Sequence, residues 1–165
     1  MLCPAPLHIL PKTKATEEFL SFLVVSKLED RQPLYHLEKQ LNARFGVDCS
    51  RQTMANWVIG LMEPLQPIFN LMKDDGRLEI DNNLTEQEIK PLVIARKNFM
   101  FCASMDGAKA LCMHFSFIRT AKLHGLDPYH YYVQLLKSIP HCKSVEDYEK
   151  LLPWNINLDY VKKVD

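Results

Sequence analysis

The sequence carries no excess charge of either sign: 20 Lys and Arg balance 20 Asp and Glu, for a formal net charge of zero. That excludes a global basic field drawing the chain onto nucleic acid or an acidic membrane, so any such contact must be a local patch. Cys-x-x-Cys pairs are absent as well. The five cysteines, at 3, 49, 102, 112 and 142, are odd in number and scattered, which argues against a disulfide framework and for reduced thiols in a cytoplasmic protein. No apolar run reaches the ~18 residues a membrane-crossing helix needs. The opening MLCPAPLHILPKTK also lacks the basic flank and long apolar centre of a signal peptide, so no membrane partner is expected. Internal repeats and low-complexity tracts are missing too. What remains is 165 residues, 47% of them hydrophobic, enough for one domain with a substantial core or for two small helical units.

Residues 1–14 hold three prolines and no usable period, and read as an extended arm. From N-cap Thr16, with Glu17 and Glu18 at the positive end of a helix dipole, a helix carrying Phe19, Leu20, Leu23 and Val24 is predicted to about Leu28. Pro33 suits a first helical position, and Leu34, Leu37, Leu41 and Phe45 recur at helical steps until Gly46 supplies a C-cap. Ser50 then caps a third helix whose apolar face is Met54, Trp57, Val58 and Leu61, and Pro64 and Pro67 are expected to interrupt the chain beyond it. Residues 91–104 mix β-branched and aromatic residues and read as short strands or an extended connection. A helix is predicted next from Asp106 to about His124, with Leu111, Phe115 and Ile118 on one face and Gly125 closing it. Asp127 and Pro128 start another through Tyr132, Leu135, Leu136 and Ile139, and Ser144 with Asp147 opens a last short one ended by Pro153. The fold class is mainly α, with at most a small β element.

Three patterns bear on chemistry. The second and third helices, joined by a four-residue turn with Gly46, have the organisation of a helix-turn-helix, whose second helix would expose Arg51, Gln52 and Asn56 toward phosphates or base edges. Arg96 and Lys97 lie side by side in ARKN, able to grip successive phosphates or simply to be solvated. In RLEIDNNLTEQEIKP, Asn83 and Glu86 have the spacing of an N-cap and its reciprocal N3 acid. Asp81 and Glu86 are also placed, at a strand end and a helix start, where carboxylates can hold a metal ion. His114 near Cys112, and His141 beside Cys142, lack the second ligand pair of a zinc site and read as packing or surface.

The run from DDGRLEIDNN to YVQLL, residues 74–136, closely resembles the C-terminal part of the insertion sequence 66 family of bacterial transposases. GRLEIDNN, Glu86, Pro91, RKN, Phe101, Gly107, TAK and GLDPY carry the resemblance, and SK, PLY and SRQTMANWV are similar to the region that precedes that family's catalytic core. The resemblance implies transposition by phosphoryl transfer, with an RNase H-like sheet holding two Mg2+ ions on an Asp, Asp, Glu triad. In that scheme the third acid falls on Glu86, with Asp81 as a weak further metal ligand, and insertion-sequence DNA is the partner.

This sequence departs from the family where the other two acids belong. They are expected between the tryptophan helix and the DNN motif, in a stretch of well over a hundred residues, yet Trp57 and Asp81 are 24 positions apart. That interval offers only Asp74 and Asp75 and has no room for the sheet. Gln87 and Lys90 stand where arginines are usual. The organisation expected is thus an arm over 1–14, a helical region over 15–73 with the helix-turn-helix-like pair, and a transposase C-terminal region over 74–165, the two flanks being fused near Lys73 to Asp75. The function expected is that of a truncated transposase without a complete Asp-Asp-Glu site and without functionally bound Mg2+. The alternative is a non-catalytic module that binds DNA or an intact transposase. Loss of the core also leads us to expect the tryptophan helix to pack on the C-terminal helices or on a second copy of the chain.

Overall fold

The computed structural model describes residues 8–11, 13–75 and 105–156. Among these the chain is mainly helical and forms no strand or sheet. Helix α1 is Glu17–Leu28, α2 Leu34–Phe45, α3 Arg51–Gly60 and α4 Met62–Asp74; α5 is Met105–Leu123, α6 Pro128–Ser138 and α7 Val145–Glu149, with a 3-10 turn over Ile139–His141 between the last two. The acidic motif of residues 77–91 and the expected strands of 91–104 lie outside the described residues.

The helix ends follow local chemistry. Thr16 accepts from the Phe19 N–H at 3.3 Å, Ser50 from Thr53 at 3.1 Å and Asp127 from His130 at 2.9 Å, and Ser144 with Asp147 forms a capping box. Gly46 ends α2 at φ 63°, which lets its N–H reach the Asn42 carbonyl at 3.0 Å and the Val47 N–H reach Leu41 at 3.2 Å. This left-handed closure is open to glycine without strain. Pro33 stands at the N-cap of α2, one residue before the helical position expected for it.

Two apolar readings need correction. Pro64 and Pro67 do not interrupt the chain: α4 runs through both. Pro64 lies in the first turn, where no N–H partner is required, and the stripe Leu65, Ile68 and Met72, all wholly buried, holds the helix on the core past Pro67. Phe45, read as part of the α2 core face, is 71% exposed, because the helix closes at the next residue and none of the described residues covers it. On α5 the wholly buried residues are Ala110, His114, Phe117 and Ala121, with Phe115 only half-buried.

Helix α1 is the centre of the packing. It touches α3 from the first half of the chain and α5 and α6 from the second, while α3 meets α4 and α5, and α4 meets α5 and α7. A single apolar cluster therefore draws Leu20, Leu23, Val24, Met54, Val58, Leu65 and Ile68 from before residue 75 together with Phe117, Ile118, Tyr132, Leu135 and Leu136 from after 105. The tryptophan helix α3 thus packs on the C-terminal helices. Lys122 on α5 pairs with Glu29, and Lys137 on α6 with Glu18, so ion pairs flank the same junction.

Candidate nucleic-acid interface

The α2–α3 unit is built by burial of one side of each helix. Leu34, Leu37 and Leu41 of α2 and Met54 and Val58 of α3 turn inward. Trp57 lies half-buried, edge-on to Phe19 of α1 with ring centres 6.2 Å apart. Between the helices run Gly46, Val47, Asp48 and Cys49, then the cap Ser50. The remaining face of α3 is open to solvent, and Arg51, Gln52 and Asn56 all stand on it exposed. These three expected site residues are therefore brought onto one surface.

Two contacts order that surface. The Gln52 side-chain amide donates to the Asn56 side-chain carbonyl at 3.0 Å, a pairing across one helical turn. The Arg51 backbone N–H donates to the Glu38 carboxylate of α2 at 3.1 Å. An acid at a helix N-terminus is favoured by the helix dipole, so Glu38 both ties α2 to α3 and fills the place an external anion would take. Sequence reading missed Glu38, since it comes to α3 from 13 residues away. It also passed over Lys39 and Arg44, exposed cations on α2, Lys39 standing 4.5 Å above the Tyr35 ring.

Nucleophilic chemistry finds no support on this surface. Cys49 is buried beside it, and burial first, then the charges of Asp48 and Glu38, push its thiol up, so it stays protonated. Among the described residues no three His, Cys, Asp or Glu side chains gather where a metal ion could be held. Asp74 and Asp75 are exposed at the end of α4. These residues alone make no magnesium site. Asp81, Glu86, Arg96 and Lys97, the other expected site residues, lie outside the described residues.

His114 is the most buried histidine described. It has no exposure, its Nε2 lies 2.8 Å from the Val58 carbonyl of α3, and its Nδ1 lies 3.0 Å from the Tyr132 hydroxyl of α6. A carbonyl only accepts, so Nε2 carries the proton and Nδ1 is the acceptor. The Tyr132 hydroxyl, also 3.3 Å from the His114 carbonyl, has acceptors on both sides. Burial lowers the His114 pKa to about 4, and the neutral ring holds α3, α5 and α6 together. Of the two readings of His114, packing or surface, the structure bears out packing.

Comparison with known proteins then bears on the whole chain. It matches the Transposase IS66 family over residues 12–75 and, separately, over 71–110, and the IS66 C-terminal element over 116–154. An uncharacterized protein of Sinorhizobium fredii, y4jD, is 36% identical over 112 residues, 67% of this chain and 20% of that protein. Another from the same organism, y4qI, is 36% identical over 87 residues, 53% of this chain and 16% of that protein. The chain thus spans about a fifth or less of the length of these curated relatives. No solved structure matches it. No helix among the described residues is long and apolar enough to cross a membrane.

Proposed function

The chain belongs to the IS66 transposase family, and from that premise we propose that it is an internally deleted member, catalytically incompetent, that engages DNA through α2 and α3. One observation carries this reading. The family is matched in two pieces that meet at residues 71–75, the end of α4, and the helices on either side of that junction share one core. An interior loss at this point removes the stretch in which two of the three acids belong, and leaves the helical region of 15–73 joined to the C-terminal region of 74–165.

Two-metal phosphoryl transfer needs carboxylates on both sides of an ion pair roughly 3.5–4 Å apart, so that attacking and leaving oxygens are aligned between the ions. Glu86 retains the role of third acid by resemblance, with Asp81 as a weak neighbour. A pair of acids from one side binds magnesium loosely, because that ion keeps its waters when few protein oxygens are offered. What the chain keeps is the surface of α3. In this reading Arg51 contacts phosphate, Gln52 and Asn56 serve the recognition of base edges, and Arg96 and Lys97 supply further phosphate contacts. The partner is the DNA at insertion-sequence ends.

A salt titration of binding to a labelled duplex tests the reading. Affinity is expected to fall steeply as salt rises, with a slope set by the phosphates neutralised, and Arg51→Ala is expected to weaken binding and to lower that slope by about one. An unchanged dissociation constant in Arg51→Ala at low salt removes α3 from the interface. A second reading, association with an intact transposase or a second copy, is favoured by the exposed Phe45 and Val47 at the end of α2. Retention of the chain by an intact family member in the absence of DNA separates it from the first.

A further inference from the structure

We infer that Gln52 is an adenine-reading side chain, held in reading position by Asn56, and that the backbone N-terminus of α3 faces base edges in the major groove, phosphate contact being left to the Arg51 and Arg44 side chains. The inference rests on the DNA-binding reading of α2 and α3 and adds to it the base recognised and the residue responsible.

The geometry leads there in three steps. Arg51, Gln52 and Asn56 share the solvent face of α3, while Met54 and Val58 anchor its other face. The rigid inner face fixes the outer one, as a reading helix requires. Next, Glu38 occupies the Arg51 N–H at 3.1 Å. A carboxylate there repels a phosphate from the helix end, so backbone contacts fall to the Arg51 and Arg44 side chains, and the end of the helix is left to uncharged base edges. Last, the Gln52 amide donates one N–H to Asn56 at 3.0 Å. A carboxamide has two N–H donors and a carbonyl acceptor. Gln52 therefore keeps one donor and its acceptor side by side, in an orientation that Asn56 sets.

That donor and acceptor edge is the complement of adenine, whose major-groove edge presents the N7 acceptor beside the N6 amino donor. Guanine offers two acceptors, against which the Gln52 carbonyl is unpaired. Cytosine offers a donor without the neighbouring acceptor, and thymine an acceptor beside a methyl group. Discrimination on the order of tenfold at one base pair is expected from such a pair. A second Gln and Asn pair, Gln66 to Asn70 at 2.8 Å on α4, has the same chemistry beyond the α2–α3 unit and serves as a control.

The experiment is selection of bound duplexes from a pool randomised in sequence, using the full chain, with binding titrations of the selected sequence and its single-base variants. Wild type and Gln66→Ala are expected to enrich adenine at one position. Gln52→Ala is expected to lose that enrichment while keeping salt-dependent binding, and Gln52→Glu to shift the preference to cytosine, whose amino group a carboxylate accepts. Asn56→Ala is expected to weaken the preference, and Asn56→Asp, which keeps the acceptor for Gln52, to preserve it at lower overall affinity. Salt-dependent binding by wild type without adenine enrichment, or enrichment that survives Gln52→Ala, overturns this inference and leaves the DNA-binding reading standing. Absence of any salt-dependent binding overturns both.

Discussion

At the scale of single residues the clearest consequence concerns His114. Its folded pKa, lowered by burial from 6.5 to about 4, means the unfolded chain takes up a proton that the folded chain refuses. Stability is therefore full above pH 6.5, declines as pH falls through the interval, and has lost this contribution near pH 4. A shift of this size corresponds to about 3 kcal/mol. Urea unfolding at neutral pH and near pH 4 should show that loss, and His114→Phe should remove most of the pH dependence. The same substitution should cost about 1–3 kcal/mol at neutral pH, because the Val58 carbonyl and Tyr132 hydroxyl lose a buried partner. An unchanged pH profile in His114→Phe would assign the acid sensitivity to other groups. The sequence left His114 open between packing and surface, and only the fold decides for packing. Its partners were not legible either, since Val58 lies 56 residues away and only tertiary folding brings its carbonyl to the ring.

Elements show where local rules hold and where packing overrides them. Thr16, Gly46, Ser50, Asp127 with Pro128, and Ser144 with Asp147 are readable because a cap satisfies backbone groups within a few residues. The prolines of α4 mislead because the force that carries the helix past them comes from Leu65, Ile68 and Met72 meeting other helices. Pro67 still costs something. It lies inside α4, exposed, and removes the N–H that would bond the Glu63 carbonyl. Replacing Pro67 by Ala should raise stability by about 1–3 kcal/mol, seen as a higher midpoint of thermal unfolding. A lower midpoint would show that the proline ring itself is needed for α4 to fit. The candidate interface is legible to the same degree: spacing places Arg51, Gln52 and Asn56 on one helix face, but Glu38 at its end requires the fold.

For the whole molecule the decisive feature is that residues on both sides of the 71–75 junction contribute to one core. The short distance from Trp57 to Asp81 makes the lack of room for a catalytic sheet legible. That the flanks close on each other is not readable in the same way, because the apolar face of α3 could equally have met a second copy. With α1 wedged among α3, α5 and α6, unfolding should be a single transition by helix content and by tryptophan fluorescence alike. Leu23→Ala, at a wholly buried position of α1, should destabilise the chain by about 2–5 kcal/mol and displace both signals together. Separate transitions would mean that the flanks are two units. If the chain holds DNA but cannot join it, one gel reads both properties: labelled insertion-sequence ends incubated with the purified chain and magnesium or manganese. The expected result is a retarded complex that fades with salt and no cleaved or joined product; a metal-dependent product that disappears in Glu86→Gln would contradict it.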